Sequence, residues 1–334
     1  MKTHTAPDPD AAPNRARVLA ARRGSVALAR LAYSPDQPRD DHGRFGEGSG
    51  GRAEESGYTP PSALTQEVMR QGFSRKEADR RVESLKQSEA RVQAAFPNAR
   101  VDLGAMNSKL AEGVANQSEK FAEEFPTAAG MMQSVEMGQY QNDSAFAVAL
   151  HDANQDGTNQ PGILFNERWY TDMGAMGPAV RASAELKSGT EMAFHPSGKT
   201  ESVVAHELGH VLDKVYGVTE GNVGTFFGRP VNAVSGYGTT NKYENFAEAF
   251  AARQMGVEGV NPSTMGVLTG VLQDVNSREP LVGHKLAAVA AAHDHGEDSC
   301  VGYIPPEVVA KYLPRPRPLA KVDYRDKSSP RPAQ

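Results

Sequence analysis

Residues 200–217 read TESVVAHELGHVLDKVYG. Val203, Val204, Leu208, Val211, Leu212 and Val215 recur at the three- and four-residue spacing of an apolar helix face. Thr200 or Ser202 can cap the start of such a helix, and Gly217 can stop it. Inside the helix stands His206-Glu207-Leu208-Gly209-His210, an H-E-x-x-H sequence. Residues four apart on a helix share a face, about 5–6 Å apart at Cβ. Two imidazoles so placed can converge on one Zn²⁺. Glu207 lies one position on, too far around the helix to be a third equivalent ligand. It can reach the open coordination position and take a proton from water there. Chance would produce this motif roughly 0.02 times in a chain of this length and composition. Gly209 costs the helix roughly 1 kcal/mol relative to Ala. A glycine there predicts that another segment passes close to the metal face.

Two histidines are too few, because a catalytic zinc usually has three protein ligands. The spacing predicts a second helix from about Lys242 to Gln254, with Thr240 or Asn241 as cap and Gly256 beyond its end. It carries Glu244-Asn245-Phe246-Ala247-Glu248, whose two glutamates share a face. One can complete the metal site. The other can accept a hydrogen bond from the free N–H of a ligand histidine and so fix its tautomer. Asp213, three residues past His210, is a further candidate for that orienting role, or else a surface charge.

These residues together resemble the zincin metallopeptidases, in the branch that uses a glutamate as third ligand, and most of all the anthrax lethal factor group. That group pairs H-E-x-x-H with a downstream tyrosine, followed seven residues later by a glutamate opening E-x-F-A-E. Here Ser235-Gly236-Tyr237 is followed seven residues later by Glu244, which opens ENFAE. The resemblance implies Glu244 as third zinc ligand and Glu248 as partner of a ligand histidine. It implies Tyr237 as the hydroxyl that steadies an oxyanion or assists the leaving group. It also implies an extended protein or peptide substrate, paired to an edge strand of a small sheet over the active helix. The shared motifs cover only about residues 200–251, so the group's cellular targets are not carried over.

The rest of the chain bounds this reading. Of 334 residues, 39% are hydrophobic, a low share that predicts segments outside any core. The formal net charge of −5 gives no global attraction to nucleic acid. The single cysteine, Cys300, excludes an internal disulfide and a cysteine-based zinc site. No run approaches the roughly 18 apolar residues of a membrane span. The first residues have no apolar core of a secretory signal. That predicts a cytoplasmic or virion-associated protein. The segment 15–33 is Arg-rich and apolar at helical spacing, and reads as a short helix in a tail.

Residues 1–57 and 316–334 are rich in Pro, Arg, Asp and Gly and predict disordered tails. Between them, 58–140 reads as a helical part. Ser74-Arg75-Lys76-Glu77 is a capping box there, and weaker helical signals run over 105–138. Residues 141–315 read as the zincin-like domain. Strands are predicted at 145–150, 162–166 and 191–195, and later helices at 263–275, 284–294 and 306–312. Strands followed by helices predict an α+β fold, and the zincin resemblance implies a small mixed sheet within it.

Other signals are weaker. Asp152, Asn154, Asp156 and Gly157 open like an EF-hand loop, but its twelfth position is Ile163, which favours a polar hairpin loop. His293 and His295 read as a helix end, and His151 and His195 as strand-end residues. SPDQPRDDHGRFG (34–46) resembles linkers of bacteriophage head proteins, which implies phage origin and association with the particle. The leading expectation is a metallopeptidase using one zinc. The alternatives are a phage structural protein that keeps the domain as an interaction module, and an injected toxin.

Overall fold

A computed structural model describes residues 62–140, 144–153, 159–187, 192–281 and 301–313. The stretches 15–33 and 34–46, the tail 316–334, Asn154, Asp156, Gly157, the helix expected at 284–294, His293, His295 and Cys300 lie outside these residues.

The first helices form where their caps stand. Helix α1 (Ala63–Arg70) begins at Ser62, whose hydroxyl accepts from Thr65 N. Helix α2 (Arg75–Ala95) begins at Ser74, which accepts from Glu77 N, as the capping-box pattern predicts. Strand β1 (Arg100–Asp102) follows. Helix α3 (Ser108–Glu124) is capped by Asn107, and Pro126 opens α4 (Pro126–Met131) at a position where its missing N–H costs nothing. The helical signals do not continue to 138. Ser134–Gly138 is strand β2, because pairing on both sides and burial of Val135 override a weak local preference.

Strands β3 (Ala145–Ala153) and β4 (Asn159–Asn166) realise the two expected apolar runs as an antiparallel pair. Ala147 stands opposite Phe165, and Ala149 opposite Ile163. The sheet order is β1-β2-β4-β3-β5, where β5 is Val301–Tyr303. The β1–β2 and β2–β4 pairings are parallel, and the β3–β4 and β3–β5 pairings antiparallel. Strands from both sides of residue 140 thus share one mixed sheet.

Helices α5 (Glu167–Tyr170) and α6 (Met173–Glu185) come after β4. The sequence pattern named neither, since α6 contains Gly174, Gly177 and Pro178, which mask its periodicity. It is held by burial of Met176, Ala179 and Val180 and by an Asp172 cap. The strand expected at 191–195 is not one among the described residues. Only an isolated bridge, Lys187 to Ala193, is present. The segment's carbonyls are engaged elsewhere: Gly236 N donates to Ala193 O (2.7 Å) and Tyr237 N to Phe194 O (3.0 Å).

The remaining helices are α7 (Glu201–Tyr216), α8 (Gly221–Phe227), α9 (Lys242–Met255), α10 (Pro262–Val275) and α11 (Pro306–Tyr312). One core joins Phe121 and Phe125 near the end of α3 to Phe250 of α9, and includes Phe146, Phe165 and Trp169 at the sheet. All six aliphatic residues named for α7 are buried. Each contributes about 1.5–3 kcal/mol, well above the roughly 1 kcal/mol lost at Gly209. The architecture is α+β, with α7 packed against the sheet and the helical remainder around it. No described helix is long and apolar enough to cross a membrane.

Candidate metal centre

Helix α7 stops where its sequence places a glycine. Gly217 adopts a left-handed conformation at φ 61°, and its N–H closes on Asp213 O. Thr200 occupies the cap position but makes no capping bond through its side chain. Helix α9 is capped by Asn241, whose Oδ1 accepts from both Tyr243 N and Glu244 N at 2.9 Å. The cap therefore fixes the backbone at Glu244 itself, and the positive end of the helix dipole favours its carboxylate.

The two helices bring three buried ligand atoms together. His206 Nε2 and His210 Nε2 are 3.0 Å apart. Glu244 Oε2 is 3.0 Å from His206 Nε2 and 3.3 Å from His210 Nε2. Four-coordinate ligands about 2.05 Å from one ion stand roughly 3.3 Å from each other. The cluster already has nearly that size. Among the described residues, His206, His210 and Glu244 form the one His/Cys/Asp/Glu group compact enough to hold a metal ion, with all ligand atoms within 4.8 Å. His210 Nδ1 and Glu244 Oε1 are buried with no hydrogen-bond partner. Two imidazole nitrogens and a carboxylate oxygen are a donor set suited to zinc.

Glu248 lies one helical turn past Glu244 and faces the far side of the same imidazole. Its Oε1 is 2.8 Å from His206 Nδ1 and 3.1 Å from His195 Nδ1, and its Oε2 accepts from Ser235 Oγ at 2.6 Å. All four groups are buried. Burial alone would raise the Glu248 carboxyl, but the facing His195 and His206 rings hold it far below the usual carboxylate range. Burial likewise opposes ionisation of Glu244, and His210 and His206 overcome it, so its carboxyl is lowered. For His206, burial disfavours the cation. Hydrogen bonding to Glu244 and Glu248 outweighs that and raises the imidazole well above its ordinary value.

Glu207 is fully buried, on the turn of α7 between the two histidines. Burial pushes its carboxyl up to about 7, against the pull of the His206 and His210 charges. A carboxylate poised near neutrality suits a general base. The Tyr237 ring is 5.9 Å from the His206 ring and 5.5 Å from the His195 ring. It opens the short 3-10 turn Tyr237–Thr239, and Asn245 of α9 ties the approach to that turn by bonding Phe227 O and accepting from Val234 N.

Asp213 is buried, and its bonds serve the turn after α7. Its Oδ1 accepts from Thr219 N (2.6 Å) and its Oδ2 from Thr219 Oγ1 (2.8 Å). The carboxylate facing Nδ1 of His206 is that of Glu248. His195, read from sequence as an ordinary strand-end residue, lies against that carboxylate. Nothing in its local pattern signals this, because the contact joins residues 53 apart in the chain.

No protein-family model matches the chain, and no curated protein matches it. Among solved structures it is similar to the crystal structure of a "putative zinc-binding metallo-peptidase" from Bacteroides caccae. The two share 11% identity over 70% of this chain and 93% of that one, with a TM-score of 0.26, an overlap too loose to carry an argument.

Proposed function

We propose that the chain is a zinc-dependent metallopeptidase. The observation that carries this reading is the buried His206–His210–Glu244 cluster beside the buried Glu207 carboxylate. The residues fit the ion in number, type and spacing. When bound there, zinc supplies a Lewis acid that polarises a carbonyl and makes water more acidic. His206, His210 and Glu244 would hold it. Glu207 would take the proton from the attacking water and pass it to the leaving amine. The Tyr237 hydroxyl would stabilise negative charge developing on the carbonyl oxygen. Glu248 would keep His206 in the tautomer that leaves Nε2 free for the metal. An extended protein or peptide substrate would pair with an edge strand of the sheet.

The test is metal content measured together with cleavage of a peptide library. Wild type should carry about one zinc per chain. Glu207→Gln should keep the metal and lose about 10²–10⁴-fold in turnover. Full turnover in that variant removes Glu207 from the mechanism.

A further inference from the structure

Among the described residues of the segment before α7, His195 reaches the carboxylate of Glu248. Its Nδ1 lies 3.1 Å from Glu248 Oε1, the same oxygen that faces Nδ1 of ligand His206 at 2.8 Å. A carboxylate only accepts hydrogen bonds, so His195 Nδ1 carries a proton and donates it. The other oxygen, Oε2, accepts from Ser235 Oγ, which itself accepts from Gly238 N at 3.0 Å. Glu248 thus faces His206 while its two oxygens are hydrogen-bonded by the segment before α7 and by the loop that carries Tyr237.

That segment and that loop also bond to each other. Gly236 N donates to Ala193 O and Tyr237 N to Phe194 O. The Tyr237 ring packs near Phe194, His195 and His206, with centroids 5.4, 5.5 and 5.9 Å away. His195 therefore touches both the carboxylate that orients a ligand and the ring of the tyrosine.

We infer that His195 is a positioning residue of the metal centre, which locks the rotamer of Glu248 and through it the orientation of His206. This rests on the metallopeptidase reading. A buried carboxylate that loses one of its donors can turn toward whichever donors remain. His206 would then lose its fixed tautomer and the metal its geometry, at a cost typically about 10–100-fold in affinity or activity.

Three variants separate positioning from packing. His195→Asn places an amide donor where Nδ1 stands. His195→Phe keeps the ring against Tyr237 and Phe194 but donates nothing. His195→Ala removes both. The full chain is loaded with zinc, and metal loss to a chelator is measured alongside kcat and KM. Zinc retention and kcat should fall about 10–100-fold in the Ala and Phe variants, with KM little changed, and Asn should restore most of both. Wild-type zinc retention in His195→Ala, or rescue by Phe rather than Asn, overturns the positioning role and leaves the metallopeptidase reading intact. A wild-type chain that takes up no zinc overturns both.

Discussion

Gly209 of α7 lies so close to Ala247 of α9 that a Cβ on the glycine would stand 3.0 Å from the Ala247 Cα. It would also meet Phe250 Cβ at 3.3 Å. The glycine between the two histidines is therefore the contact that lets Glu244 reach them. Gly209→Ala should gain about 1 kcal/mol of helix preference and lose about 1–3 kcal/mol to overpacking against backbone that cannot yield. The expected result is a lower melting temperature and weaker zinc binding, read by calorimetry and metal competition. A variant with tighter zinc binding would contradict the close approach.

The two glutamates of α9 should separate by role. Glu244→Ala removes a ligand atom and should abolish most zinc affinity. Glu248→Ala leaves the three ligands in place and should cost only about 10–100-fold. Equilibrium competition with a chelator ranks them, and the reverse order would exchange their assignments.

Tyr237→Phe should leave zinc content unchanged and lower kcat about 10–10³-fold, the usual scale for one oxyanion donor. Steady-state kinetics on a peptide substrate checks this. An unchanged kcat places the tyrosine outside the chemistry.

The metal-free protein should be most stable in mildly acidic solution. His206 is raised above its ordinary value. Its contribution is complete below the unfolded value of about 6.5 and is lost as pH rises through the folded one. Glu207, pushed up to about 7, costs stability over the rise from its ordinary 4.5, which acts in the same direction. Glu244 and Glu248 are lowered, so their contributions are present above about 4.5 and fade only as pH falls below it. Melting temperature without metal should peak between about pH 5 and 6 and fall toward pH 8. Zinc binding needs neutral His206, so it should release a proton and strengthen with pH over that same range. A pH-independent zinc affinity there would argue against a charged His206 in the metal-free site.

Helix α7, helix α9 and the β3–β4 pair could be read from the chain because each has a clean local pattern. So could the close passage at Gly209. Strand β2 and helix α6 could not. The first is short and owes its form to neighbours on both sides, and the second hides its period behind two glycines and a proline. In the centre, His206, Glu207 and His210 are legible from four-residue spacing alone. Glu244 needs the downstream tyrosine as a marker. His195 could not be found this way, since its meeting with Glu248 depends on how a loop returns across the finished fold.

The candidate metal ligands come from two helices with 33 residues between His210 and Glu244. A cation held across that excursion works as a rivet. It binds only where the two helices meet, so it weights the folded state by mass action and must be shed before the helices can part. Chelation should therefore shorten the lifetime of the folded protein even where it leaves the helical content of the surviving molecules unchanged.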